Sequence, residues 1–184
     1  ADMARAHFQA MGRGLVEASL AWWGSDRKLA SRGEVIGLDH LDRALEQGGV
    51  ILLTGHFTTL ELAARFVAMQ RPFRAMYRPL DNLFWDVVTT RAREARSCRP
   101  SVPRRDLRAL VKTLRRGGAV WYGPDQTLSH RNSAFVPFFG VPTLTLTATS
   151  RLAEMGRAQV VPFYPERLPG HRYRIIFEPP LADF

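Results

Sequence analysis

The chain has 184 residues, with 26 Lys and Arg against 17 Asp and Glu, 46% hydrophobic residues and a single Cys. That length suits one domain with a real core, and those apolar and charged fractions exclude the disordered and fibrous classes. Cys98 alone can form neither an internal disulfide nor a thiolate metal cage, so redox chemistry is disfavoured and a reducing compartment fits.

The formal charge of +9 is unevenly placed: ten basic residues run from Arg91 to Arg116, opposed only by Glu94 and Asp106. Such a block suits a polyanionic partner, whether phosphate-rich lipid, nucleic acid or an acidic protein; a solvated helix face is the equal alternative. No stretch approaches the ~20 consecutive apolar residues of a membrane span.

In chain order, Met3, Phe8, Met11, Leu15, Ala18 and Ala21/Trp22 predict a helix over 1–21 with an apolar stripe, stopped by Trp22-Trp23-Gly24. The double Trp reads as core or as an interfacial anchor. Asp39 predicts a cap for a short helix over 40–47, closed by Gly48-Gly49. Residues 50–54, Val-Ile-Leu-Leu-Thr, form a continuous apolar run, the pattern of a strand buried on both faces in a parallel sheet. Gly55-His56-Phe57 then turns the chain into a helix over 58–70. A strand over 73–77, a helix over 82–96 and a basic helix over 106–116 follow, the last closed by Gly117-Gly118. Residues 119–122 predict a second buried strand, 123–142 a long loop, 143–155 an apolar helix, and 159–164 and 173–177 two last strands. The alternation predicts one α/β domain with a mainly parallel central sheet flanked by helices. In such sheets chemistry gathers in loops at the carboxyl ends of strands, here 55–59, 78–82 and 123–142.

The sharpest local feature is His56 followed five positions later by Glu61. On an ideal helix five residues turn about 500°, so two mid-helix side chains would stand roughly 140° apart. They meet if His56 lies in the turn and Glu61, in the first helical turn, reaches back. A carboxylate on one imidazole nitrogen fixes the tautomer and leaves the other as a base toward a hydroxyl. A lone His at a strand end is the structural alternative.

Four ordered blocks carry a wider resemblance: His56-Phe57-Thr58-Thr59-Leu60-Glu61, Tyr77-Arg78-Pro79-Leu80-Asp81-Asn82, Pro124-Asp125-Gln126, and 131–142 (Arg-Asn-Ser-Ala-Phe-Val-Pro-Phe-Phe-Gly-Val-Pro). Over nearly its whole length the chain resembles the lipid A biosynthesis lauroyl/myristoyl acyltransferases, late enzymes of lipopolysaccharide assembly within the lysophospholipid acyltransferase superfamily. The resemblance implies a glycerolphosphate-acyltransferase-like fold. It also implies transfer of a fatty acyl chain from acyl carrier protein to a hydroxyl of a lipid A precursor of the Kdo2-lipid IVA type, without metal or cofactor. His56 would then be the general base and Glu61 its orienting partner. Arg78 would clamp a substrate phosphate with Asn82 in support, the structural alternative being an Arg paired with Asp81 or Asp86. Asp125 and Gln126 would line the pocket or simply fix the loop. Arg131, Asn132 and Ser133 form a polar cluster suited to phosphate or sugar. Pro137-Phe138-Phe139 and Val141-Pro142 would shape an apolar acyl tunnel or pack in the core.

The resemblance further implies the cytoplasmic face of the inner membrane, with an anionic membrane surface or the acidic carrier protein meeting the block from Arg91 to Arg116. Family members carry an N-terminal apolar anchor and a further C-terminal helical segment, so residues 1–184 are expected to be the catalytic domain of a longer enzyme. Thr127 stands where the pattern often has an acidic residue. His7, His40, His130 and His171 lack metal-ligand spacing. A glycerophospholipid or glycolipid acceptor is the alternative within the superfamily. A nucleic-acid-binding module is a remote one, because the basic block contains no aromatic residue.

Overall fold

A computed structural model describes residues 2–97, 99–126 and 133–182. The described chain runs α1 (Asp2–Trp23), α2 (Asp26–Ala30), β1 (Gly33–Ile36), α3 (Leu38–Gln47), β2 (Gly49–Leu53), α4 (Leu60–Gln70), β3 (Phe73–Tyr77) and α5 (Leu83–Ser97). It continues with β4 (Val102–Pro103), α6 (Leu107–Arg115), β5 (Ala119–Tyr122), β6 (Ser133–Phe138), β7 (Val141–Leu146), α7 (Ala148–Gly156), β8 (Ala158–Leu168) and β9 (Arg172–Phe177). Seven strands form one sheet in the order β1-β9-β8-β2-β5-β3-β4, and β6 with β7 forms a separate two-stranded hairpin. From β8 to β4 every pairing is parallel; β9 runs antiparallel to β8 and parallel to β1.

The central strands divide their side chains between two cores, as the period of two requires. Val50 and Leu52 of β2, Ala119 and Trp121 of β5, and Val161 and Phe163 of β8 face one core, which also holds Leu41 of α3 and Leu62 and Phe66 of α4. Ile51, Val120, Tyr122 and Val160 face the other, against Leu110 and Leu114 of α6 and Leu152 of α7. With both faces covered, the runs at 50–53 and 119–122 have no polar alternation, which is why they were legible as central strands.

Several predicted details change. Only the C-terminal end of the α1 stripe faces the core: Met3, Phe8, Met11 and Leu15 are exposed, while Ala21 is buried with Trp22 packed beside it, and Glu17, off the stripe, is buried as well. Glu17 accepts two hydrogen bonds of 2.8 Å from Arg167 on β8 and one of 3.1 Å from the Tyr173 hydroxyl on β9. Burial and then the Glu17 carboxylate push the Tyr173 phenol above its ordinary pKa, keeping it a donor. This clamp, rather than apolar burial alone, ties α1 to the sheet. Glu17→Ala, which strands a half-buried guanidinium, is expected to lower stability by about 3 kcal/mol in urea unfolding.

Gly37, not Asp39, stands at the N-cap of α3. Asp106 caps α6, accepting from the Ala109 N–H at 3.0 Å. The predicted loop over 123–142 contains β6, and the predicted helix over 143–155 begins only at Ala148, because Thr143 and Thr145 belong to β7, where β-branched residues are at home. Among the described residues no helix is long and apolar enough to cross a membrane.

Candidate active site

β2 and β5 are parallel neighbours, with Leu53 opposite Tyr122 as their last pair. Both chains leave the sheet at that level, so His56 and Asp125, each three residues beyond, come together. His56 Nδ1 lies 2.5 Å from Asp125 Oδ1, and the His56 backbone N–H donates to Asp125 Oδ2 at 2.7 Å. One carboxylate thus holds both the loop and the ring. An ionised carboxylate only accepts, so Nδ1 carries the proton and Nε2 the lone pair. The ring stands edge-on to Trp121, with centroids 5.5 Å apart. A Cβ on Gly123 would lie 2.9 Å from His56 Cε1 and 3.0 Å from Trp121, so only glycine leaves the imidazole its place.

Burial pushes the Asp125 carboxyl up, but the hydrogen bonds from the His56 backbone and ring, and attraction to the imidazole, outweigh it and hold the group below the usual carboxylate range. The sign follows from linkage: a folded pKa below the unfolded one adds stability that is fully present above the ordinary carboxylate pKa and is lost as pH falls through the depressed value. The advantage of the wild-type protein over Asp125→Asn in urea unfolding should therefore be clear at pH 6 and shrink below about pH 4.

The expected hydrogen bond between Glu61 and the His56 ring is replaced by that with Asp125. Glu61 lies in the first turn of α4, where its carboxylate accepts from the Trp22 Nε1–H at 2.7 Å and forms an ion pair with Arg93 of α5. α1 and α5, both packed against α4, draw Glu61 to their side. His56 and Glu61 nevertheless line one cavity of about 340 Å³, with Trp22, Arg78, Arg93, Arg96, Trp121 and Gln126 at its polar parts. Arg65 and Tyr77 line it too, and the rest of its wall is apolar: Ala21, Leu60, Ala64, Phe73, Ala75, Met76, Leu80 and Ala92 contribute. The cavity lies on the α1, α4 and α5 side of the sheet, where small alanines leave room between helix and strand.

The other expected site residues divide. Arg78 lines the cavity with an exposed guanidinium, 3.9 Å from Asp81. Asn82 caps α5, its Oδ1 accepting from the Trp85 N–H at 3.2 Å, and does not line the cavity. Gln126 lines it. Ser133 opens β6, while Arg131 and Asn132 lie outside the described residues. Pro137, Phe138, Phe139, Val141 and Pro142 build no tunnel: they form the exposed hairpin. The basic block is not one face either. Arg93 and Arg96 line the cavity, whereas Arg108, Lys112, Arg115 and Arg116 lie on or beside α6 across the sheet. Arg93 and Trp22 were missed as site residues. Ala92, Arg93 and Arg96 share one face of α5 at helical spacing, a signal hidden by the density of arginines around them.

The fold and site define an α/β protein with a His–carboxylate pair over an apolar cavity at the carboxyl edge of a parallel sheet. The chain belongs to the bacterial lipid A biosynthesis acyltransferase family, whose model matches residues 1–183. It is 42% identical over 177 residues to a lipid A biosynthesis lauroyltransferase of Escherichia coli K12, covering 95% of this chain and 58% of that protein. A lipid A biosynthesis palmitoleoyltransferase of the same strain is 34% identical over 97% of this chain and 59% of its own length. A lipid A biosynthesis acyltransferase of Haemophilus influenzae is 36% identical over 88% of this chain and 52% of its own. The chain therefore spans a little over half the length of these curated relatives.

Proposed function

We propose that this chain is the catalytic domain of an acyltransferase that moves a fatty acyl group from a thioester, carried by acyl carrier protein, to a hydroxyl of a lipid A precursor. The observation that carries the reading is the His56–Asp125 pair at an apolar cavity that also holds a fixed cation. His56 Nε2 takes the proton of the acceptor hydroxyl as its oxygen attacks the thioester carbonyl. The carbonyl oxygen becomes an oxyanion, which a cation on the cavity wall would stabilise, and Arg93, held by Glu61, is the residue we assign to it. Collapse breaks the C–S bond, forms the ester, and returns the proton from His56 to the departing thiolate.

No covalent intermediate is required. The acyl chain occupies the apolar part of the cavity, where burial away from water favours it. Exposed Arg78 at the rim suits a phosphate of the acceptor. The carrier protein and the cytoplasmic leaflet of the inner membrane are the acidic surfaces that a chain of net charge +9 would meet. Purified full-length protein given acyl carrier protein thioester and tetraacylated lipid A precursor should yield a product heavier by one acyl group in mass spectrometry. Esterification of a glycerophospholipid in place of that acceptor would move the protein to another branch of acyl-transfer chemistry.

A further inference from the structure

Residues 133–150 contain no charged side chain. Within them β6 and β7 form a hairpin that, among the described residues, pairs with no other strand. A lone two-stranded hairpin is marginally stable in water at best. Here both faces are apolar: Phe135 opposite Leu144 and Pro137 opposite Pro142 lie on one, Val136 opposite Thr143 and Phe138 opposite Val141 on the other. Phe135 is 70% exposed, Phe138 63% and Phe139 92%.

The turn itself is unusual. Phe139 and Gly140 have φ of 49° and 78°, the pair of positive values that hairpins normally meet with Asn-Gly or Gly-Gly. A bulky aromatic in that conformation is strained, and at the exposed tip its ring meets only the edge of Phe138 among the described residues, itself 63% exposed. A protein segment laid on this hairpin would cover one face; a hydrocarbon phase covers both faces and the tip.

The surroundings favour lipid as well. The hairpin follows β5, and exposed Leu83, Phe84 and Trp85 follow its sheet neighbour β3, so both apolar groups leave the carboxyl edge that holds the His56–Asp125 pair. Exposed Arg78, Arg104, Arg105 and Arg108 follow β3 and β4 at the same edge. Aromatic tips bordered by arginines match an anionic bilayer interface, with rings entering the acyl boundary and guanidinium groups staying at the headgroups.

We propose that the β6–β7 hairpin, led by Phe138 and Phe139, inserts into an anionic phospholipid bilayer and brings the mouth of the cavity to the membrane surface. Its purpose rests on the acyltransferase reading, since an acceptor whose acyl chains lie in a bilayer has to be met there; its test does not. In the full-length Cys98→Ser protein, Phe139→Cys carrying an environment-sensitive fluorophore should brighten several-fold and shift to the blue with vesicles of phosphatidylcholine and phosphatidylglycerol. The same label at Glu46→Cys, before β2 at the opposite edge, should not respond. Phe138→Ser with Phe139→Asn, the latter suited to the turn, should lower partition into those vesicles by about tenfold or more.

An unresponsive label at 139 would overturn the proposal. So would a label already blue-shifted without lipid, which means another part of the chain covers the hairpin, or one that shifts with protein concentration alone, which means a second copy does. Acyl transfer on detergent-dispersed acceptor reports separately: its absence in the wild-type protein refutes the acyltransferase reading and leaves the vesicle result standing.

Discussion

His56→Ala is expected to reduce acyl transfer by a factor on the order of 10² to 10⁴, with little change in the urea unfolding midpoint. The side chain is about one-third exposed, at 34%, and its main contacts are Asp125 and the edge of Trp121. Removing it deletes the base without opening a cavity in the core, and Asp125, itself 43% exposed, is hydrated in its place. Transfer measured with radiolabelled acceptor, beside circular dichroism of the same preparation, separates chemistry from folding. Wild-type turnover in this variant would sink the mechanism.

Asp125→Asn is expected to lose a comparable factor, on the order of 10² to 10⁴, and to lose it in kcat rather than KM. An amide is nearly the same size, yet it can present its NH₂ to Nδ1 and so shift the ring proton to Nε2, the nitrogen that has to accept from substrate. Because the two residues act as one unit, the double variant should be little worse than either single one. Glu61→Gln is the necessary contrast. Its amide keeps an acceptor for the Trp22 N–H but weakens the hold on Arg93, so a loss of about ten- to a hundredfold is expected from the charged hydrogen bond removed. If Asp125→Asn kept full activity while Glu61→Gln were dead, the orienting role would return to Glu61.

That contrast marks what spacing along the chain leaves open. His56 and Glu61 are five residues apart, and local geometry permits a hydrogen bond between them; their two residue types alone suggest it. The carboxylate that makes the bond is 69 positions away. It arrives because β2 and β5 are adjacent with Leu53 opposite Tyr122, a register that no local pattern states. Glu61 is instead engaged by Trp22 and Arg93, which reach it from helices on either side in the sequence. The basic block shows the same limit: its charge was plain, but the chain passes through β4 at the sheet edge between α5 and α6, which leaves Arg93 and Arg96 at the cavity and the residues of α6 on the far side of the sheet. The apolar residues at 137–139 and 141–142 suit a tunnel or the core, yet apolar character does not say whether a segment faces inward, and in the fold they form the exposed hairpin.

The amino-acid sequence by itself determined the class of fold, the central strands, the position of the candidate His and the family. Unbroken apolar runs betray double burial, and ordered motifs survive in a linear string. Only the tertiary structure decided which carboxylate hydrogen-bonds the His56 ring, which arginines line the cavity and which apolar residues stay outside. Those outcomes depend on strand order, register and helix packing, and these bring together residues with no fixed separation along the chain.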